Sequence, residues 1–351
     1  MTRLEYIWLD GHEEQNLRSK ARFVDHPIRS VEDCPCWGFD GSSTEQAKGN
    51  HSDCILRPVK MYKNPLNEFS GSSYLVLCEV DNMDGTPHRT NHRRKLIDLV
   101  DETAKYDMWF GIEQEYVMID TNTAWPVGWP AGRSYPRPQG DYYCGVGDNN
   151  IKLERLVNEH AEACINADIN IHGTNAEVML SQCEYQIGTE DAVNISDDLW
   201  ITRYLLYKIS AFYGVTPMFH PKPVKGDWNG SGAHINFSTR EMREEWCMED
   251  LHDFCSKMGE YANEMIVTYG KDNDLRLTGK HETAHIDDYS YGVSDRGSSI
   301  RIPYSVAAAG GRGYLEDRRP AANMNPYLAV ASLVKYTSSV VEKMEQDSTI
   351  A

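Results

Sequence analysis

The stretch WFGIEQEYVMID, residues 109–120, constrains this chain more than any other. Its apolar and aromatic run predicts a buried strand, yet Glu113 and Glu115 stand inside it. Side chains two apart on a strand point to the same face. Two carboxylates on one face, beside Ile112, Tyr116 and Val117, repel each other, and burying an unpaired charge costs at least several kcal/mol. A fold that keeps this strand needs a positive partner for the pair.

More acids recur in apolar company. TNAEVMLSQCEYQIG (174–188) carries Glu177 and Glu184, seven apart, which a single straight strand would put on opposite faces. A turn near 180–182 would fold the segment back and let both face one site. RGYLEDRRP adds Glu316, and DWNGSGAHINFS adds His234 after a glycine-rich turn. Any one of these alone reads as a solvated acid or a hydrogen-bonded structural histidine. Five carboxylates and one imidazole together suit hard divalent cations, and Mg²⁺ or Mn²⁺ fits that donor set. Such ions would turn mutual repulsion into attraction.

A cationic cluster follows in sequence: Arg276, Arg296, Arg301, Arg312, Arg318 and Arg319. Planar guanidiniums bind carboxylates and phosphates bidentately. Beside a metal site they suggest phosphoryl chemistry, in which metal and arginine share the developing charge. No GxxxxGK[ST] motif occurs, so a P-loop is excluded.

Composition narrows the class. A length of 351 residues predicts about two domains. The net charge of −18 and the lack of a basic tract argue against nucleic acid as partner. MTRLEYIWLDG reads as strand and turn rather than a signal peptide, and no apolar run reaches the ~18 residues of a membrane span. Nine cysteines, an odd number without a C-x-x-C pair, predict reduced thiols, a cytoplasmic location and no zinc site.

Residues 1–88 read as β-rich, with strands in LEYIWLDG and YLVLCEVDNMDG. The period changes at 87–106, where Leu96, Leu99, Val100 and Thr103 share a helical face, and the domain boundary is placed there. Further helices are expected at 149–168, at 196–214 with Ser196 as cap and Gly214 as stop, at 248–269 ending before Gly270, and after Asn325-Pro326. The Pro/Gly/aromatic segment 125–149 predicts a long ordered loop.

With these motifs in order, WGFDGSSTEQAKGNHSDCILRPV, FGIEQEY, NAEV…QCEYQIG, HPKPVKGDWNGSGAH, RLTGKHET, DRGSSIRIP and YLEDRRP, the chain resembles the glutamine synthetases of the short, eukaryotic-like class over nearly its whole length. The resemblance implies an α+β chain: an N-terminal β-grasp domain, 1–88, and a larger catalytic domain, 89–351, an antiparallel sheet with helices. It implies ATP-dependent ligation of ammonia to glutamate through γ-glutamyl phosphate. It also implies a homo-oligomer of two stacked five-membered rings, a decamer, with active sites between subunits.

Carried over by position, the resemblance implies metal ligands at Glu113, Glu115, Glu177, Glu184, His234 and Glu316, holding two to three Mg²⁺ or Mn²⁺ ions. Arg276 and Arg318 would meet the α-carboxylate of glutamate, and Asn229 and Gly230 its amino group. Arg296 and Arg301 would face the phosphates, with Trp109, Asn236, Phe237, Ser238 and Tyr314 around the nucleotide. Asp40 of a neighbouring subunit, supported by Asp53, would bind ammonium and take its proton, with Glu282 on a mobile flap. Departures lie at Leu180, Cys183 and the loop before Glu316, which leaves Arg312 without an assigned role. The longer class's C-terminal extension is missing, so control by nucleotidylation is not expected. Two alternatives remain: a ligase joining glutamate to a larger amine, and a non-catalytic ring-forming homologue.

Overall fold

Strands β1 (Thr2–Leu9) and β5 (Ser73–Asp81) are buried on both faces, and they lie side by side in parallel in the middle of the first sheet. Near-continuous apolar sequence is what such a central position requires. A computed structural model describes residues 1–67, 69–129 and 136–350, with side chains to 347. In it β2 (Leu17–Val24), β3 (Trp37–Asp40) and β4 (Asp53–Lys63) complete a five-stranded sheet in the order β2-β1-β5-β4-β3. Leu4, Tyr6, Trp8 and Val76 face a small core of their own, while Ile7, Leu75 and Leu77 face the core of the rest of the chain.

Helix α1 (His92–Thr103) follows, capped by Asn91, whose side chain accepts from the Arg94 N–H. Next come β6 (Trp109–Asp120), α2 (Glu154–Asn166), β7 (Ile171–Ala176), β8 (Gln182–Glu190), α3 (Ala192–Phe212), β9 (Val215–Met218) and β10 (Ala233–Ser238). The chain ends with α4 (Arg240–Glu244), α5 (Met248–Met258), α6 (Ala262–Ile266), β11 (Tyr291–Val293), β12 (Ile300–Ile302), α7 (Tyr304–Ala308), β13 (Leu315–Asp317) and α8 (Pro326–Ile350). The second sheet runs β11-β12-β13-β10-β6-β8-β7, with β9 paired to the far end of β6. Its pairs are antiparallel except β11 with β12 at one edge. The α+β reading of the sequence holds.

Strand β6 keeps Glu113 and Glu115 on the face opposite Phe110, Ile112 and Tyr116. Phe110, Ile112 and Tyr116 of β6 enter one core with Ile195, Leu199 and Leu205 of α3 and Val330 and Leu333 of α8. Glu113 and Glu115 point the other way, onto a half-buried face. The surprise is Gln114, fully buried on the core side, where Arg203 donates two hydrogen bonds to its Oε1 at 2.9 and 2.6 Å.

Two helix boundaries differ from expectation. Asp191, not Ser196, caps α3, accepting from the N–H groups of Val193 and Asn194. Ser196 is a buried interior residue whose hydroxyl donates to the Ala192 carbonyl. The helix is buried nearly all round, so no amphipathic stripe marks its start. The single helix expected at 248–269 is broken by a 3₁₀ turn, Gly259–Tyr261, between α5 and α6. A Cβ at Gly259 would lie 2.8 Å from the Tyr289 ring, and this close packing accompanies the tightened turn. Gly214 and Gly270 do sit in left-handed conformation past their helices, and Asn325 caps α8 through the Tyr327 N–H. Of the ordered loop expected at 125–149, residues 130–135 lie outside the described residues.

A buried ionic chain ties the N-terminal sheet to the rest. Arg93 of α1 reaches Glu79 of β5 at 2.8 Å and Asp197 of α3 at 2.9 Å, and both acids are nearly inaccessible. Arg93→Ala is expected to lower unfolding free energy by about 3 kcal/mol, because it strands buried carboxylates. Urea denaturation checks this; a loss under half that size would mean the remaining partners suffice.

Candidate active site

Sheet register assembles the acidic site. Glu113 of β6 stands opposite His234 of β10, and Glu115 opposite Glu184 of β8. Glu316 of β13 stands opposite Asn236, two residues from His234 and so on the same face. Glu177 lies just past β7, where its N–H donates to the Gln182 carbonyl at 2.9 Å and Ser181 turns at φ +73°. That reversal is the turn expected near 180–182. It brings Glu177 back to Glu184.

Two groups that could hold a metal ion result. Glu113, His234 and Glu316 offer atoms within 4.8 Å of one another, and so do Glu115, Glu177 and Glu184. Burial and like charge dominate the electrostatics of the second set. Burial pushes the Glu184 carboxyl up to about 9, helped by the charges of Glu115, Glu113 and Glu177. Burial and the Glu115 charge push Glu177 up to about 7, against hydrogen bonds from the Val178 N–H and Asn175. In the other set, burial and the Arg318 charge pull His234 down, but hydrogen bonds to Glu113 and Glu316 outweigh them and leave it at about 9. Protons are thus held where a divalent cation would serve the same groups. The donor set, oxygen with one imidazole, fits Mg²⁺ or Mn²⁺.

A pH dependence follows. Glu177 and Glu184 hold protons more tightly when folded than unfolded, so their contribution is complete below about 4.5 and is lost as pH rises through about 7 and 9. The metal-free protein is expected to lose several degrees of melting temperature between pH 6 and 9, at about 2–4 °C per kcal/mol. With Mg²⁺ saturating, the slope should flatten, since the cation replaces those protons. Melting curves with and without chelator test this, and equal slopes would remove the argument.

Second-row groups orient the ligands, and sequence reading passed over them. The Gln182 amide donates to Glu115 Oε2 at 3.2 Å and to the Gly230 carbonyl at 3.0 Å. Gln186 donates to Glu184 and to Asn175 Oδ1, and Asn175 to Glu177. The signal was present: polar residues at 182, 184 and 186 alternate along β8 with apolar Cys183, Tyr185 and Ile187. The Gly232 N–H donates to Glu115 Oε2 at 2.6 Å. A Cβ on Gly232 would lie 2.6 Å from Arg276 Nη2 and 2.7 Å from His234 Nε2, so only glycine fits that approach.

The arginines gather at the same place but engage protein acceptors. Arg318 Nη1 and Arg301 Nη1 meet Glu316 at 2.6 and 2.7 Å, and Arg318 Nε donates to the Arg296 carbonyl. These guanidiniums hold Glu316 well below the usual carboxylate range despite its burial, with His234 contributing most. Arg276 is buried, donating to the carbonyls of Arg318 and Arg319 and lying 3.0 Å from His234 Nε2. Arg296 and Arg312 are exposed.

Around the far edge, Trp109 is 45% exposed and carries the Arg243 guanidinium 3.9 Å above its ring. Arg243 also donates to Ser238 Oγ at 3.0 Å, a role no motif announced. Asn236 donates to Glu113 at 2.8 Å, and Tyr314 is partly exposed beside the charges of Glu113 and Glu316. The Phe237 ring faces away, 6.3 Å from Phe254 in the core, so strand parity leaves only its backbone for a ligand. Asn229 and Gly230 border the site through Gln139 and Gln182. Asp40 and Asp53 pair across β3 and β4 in the other sheet, both exposed, with Asp40 on the edge strand. Glu282 is exposed in a loop whose stem pairs Thr278 with His285.

Comparison with known proteins agrees with this arrangement. Residues 1–83 match the family model described as glutamine synthetase, beta-Grasp domain, and residues 87–267 match glutamine synthetase, catalytic domain. A glutamine synthetase of Yarrowia lipolytica is 48% identical over 331 residues, covering 94% of this chain and 89% of its own. One from Agaricus bisporus is 48% identical over 334 residues, 95% and 92% of the two chains, and one from Schizosaccharomyces pombe is 47% identical over 331 residues, 94% and 90%. A sheet face bearing two ligand triads, the arginines beside it and two matching domains lead to one conclusion: the chain belongs to the glutamine synthetase family.

Proposed function

We propose that this chain is a glutamate–ammonia ligase, making L-glutamine, ADP and phosphate from ATP, L-glutamate and ammonia through γ-glutamyl phosphate. The observation that carries this reading is the pair of adjoining carboxylate-rich triads on one sheet face, beside Arg276, Arg301 and Arg318. A carboxylate is a poor acyl donor, and phosphorylation converts it into a mixed anhydride.

Glu113, His234 and Glu316 would hold one divalent ion, and Glu115, Glu177 and Glu184 another, with Mg²⁺ or Mn²⁺ the proposed metal and two to three ions per site. When bound, such ions supply Lewis acidity toward phosphoryl and carboxylate oxygens. The chain's own groups do the rest. Trp109 and Tyr314 offer partly exposed rings to adenine, and Asn236, Ser238 and the Phe237 backbone line its edge. Arg301 and Arg296 face the phosphates. Arg276 and Arg318 are proposed for the α-carboxylate of glutamate, and Asn229 and Gly230 for its amino group. Arg318 would have to share itself between substrate and Glu316.

Asp40, supported by Asp53, is assigned to ammonium in the site of a neighbouring subunit, with Glu282 closing over it. Hydrogen bonds from Ser42 and Ser43 hold the Asp40 carboxyl below the usual range. That favours attraction of a cation over acceptance of its proton. The proposed assembly is a decamer of stacked rings, with the domain boundary at 88/89. Cytoplasmic residence is supported by nine free cysteines, and among the described residues no helix is long and apolar enough to cross a membrane.

One assay tests the reading. Amide formation is measured with ammonium, methylamine and polyamines, alongside phosphate release with and without glutamate. Ammonium is expected to give the fastest turnover, and phosphate release to require glutamate. Faster turnover with a larger amine would favour the γ-glutamyl-amine ligase, and glutamate-independent hydrolysis a non-catalytic homologue.

A further inference from the structure

The loop that carries Glu282 holds two consecutive non-glycine residues in the left-handed region, His281 at φ +55° and Glu282 at φ +58°. Such a pair persists only where its surroundings over-determine it. Within the loop, Thr283 Oγ1 donates to the Lys280 carbonyl at 2.8 Å, and Thr278 pairs with His285. From outside, His281 ties the loop to the rest of the site.

The direction of that tie can be read from its partners. The Asn229 N–H donates to Gln139 Oε1 at 2.6 Å, so the amide nitrogen of Gln139 is the end that faces His281. It lies 2.9 Å from His281 Nδ1, which must therefore accept. The ring proton then sits on Nε2, 3.1 Å from Asp227 Oδ1. Asp227 is 96% exposed, so that second contact adds little, and the Gln139 contact is the one that counts.

We infer that His281 is a positioning residue: through Gln139 it clasps the Glu282 loop to the Asn229–Gly230 turn, and the clasp decides whether the acyl phosphate meets ammonia or water. This rests on the glutamine-forming reading above. In the productive step the ammonia nitrogen attacks the γ-carbonyl carbon, the C–O bond breaks with its electron pair on the phosphate oxygen, one N–H proton passes to that phosphate, and glutamine and phosphate leave. In the wasteful step a water oxygen attacks the same carbon, the same bond breaks, the water's protons pass to phosphate and solvent, and glutamate returns with phosphate. A loop fastened over the site admits the first and excludes the second.

The experiment measures phosphate released per glutamine formed, with melting temperature, in the assembled enzyme. His281→Ala and Gln139→Leu each break the clasp. Each is expected to raise the ratio by about fivefold or more, the scale of one lost hydrogen bond. The double variant should add little to Gln139→Leu, which already removes both the His281 contact and the acceptor for the Asn229 N–H. His281→Asn keeps an acceptor in the position of Nδ1 and tolerates left-handed backbone, so its ratio should stay near wild type. An unchanged ratio in both clasp variants, or one as high in His281→Asn as in His281→Ala, overturns the inference. So does a lowered melting temperature with no change in ratio, which would mark a purely structural role. A wild-type enzyme that forms no glutamine would remove the underlying reading itself, and is told apart by that control.

Discussion

Glu113→Ala is expected to reduce glutamine formation at saturating Mg²⁺ by at least about a thousandfold, the scale of several kcal/mol that a bound Lewis acid contributes. Glu113 is one of three proposed ligands in its triad and the partner of both His234, at 3.6 Å, and Asn236, at 2.8 Å. Its side chain is 28% exposed, so alanine opens no deep cavity. Removing one charge from an acid-crowded face also relieves repulsion without metal. The fold and the assembly are therefore expected to survive, with a melting temperature in chelator equal to or above wild type. Glu113→Gln should behave alike, because a neutral amide oxygen is a weaker ligand for a hard cation. The test pairs turnover across a Mg²⁺ titration with sedimentation of the assembly. Wild-type turnover at low Mg²⁺ would sink the ligand assignment.

Asp40→Ala is expected to cost about 10–10² in turnover, the scale of one lost charge-assisted contact to a cationic substrate. Asp40 stands on edge strand β3, its carboxylate bonded to the Ser42 N–H at 3.0 Å and to the hydroxyls of Ser42 and Ser43 at 2.6 and 2.8 Å. Its hydrogen bonds go to its own loop, and none joins it to the triads. Its proposed role is in the site of a neighbouring subunit. A head-to-tail ring gives each site one half from each of two neighbours. Mixing Asp40→Ala with Glu113→Ala subunits, once exchange is shown, should restore about a quarter of wild-type activity, since only one of four pairings joins two intact halves. No recovery in proven mixed assemblies would rule out a shared site.

Much of the site was legible before any coordinates. Glu113 and Glu115 were found because they break an apolar run, and Glu177 and Glu184 because two acids seven apart need a turn to meet. Parity puts Glu113 and Glu115 on one face, and the register then sets Glu113 beside His234 and Glu115 beside Glu184. The motifs placed His234, Glu316 and the arginines. What escaped were groups with no charge anomaly to betray them. Gln182, Gln186 and Asn175 are uncharged polar residues of strands β7 and β8, and Arg243 lies outside every motif. Phe237 sat inside a nucleotide motif, yet its ring packs into the core. Ser196 looked like a cap because α3 shows no polar face to mark where it begins.

The amino-acid sequence by itself determined which face of each strand is acidic, because side-chain direction follows parity and a buried charge must find a partner. It also determined the reversal that brings Glu177 to Glu184, and the change from strand to helix near residue 90. Only the tertiary structure decided which acids share a triad, that Arg318 and Arg301 each bond one oxygen of Glu316, and that His281 fastens the Glu282 loop to Gln139. Those outcomes depend on strand order and on contacts between segments more than a hundred residues apart, as with Gln139 and His281, which local periodicity does not encode.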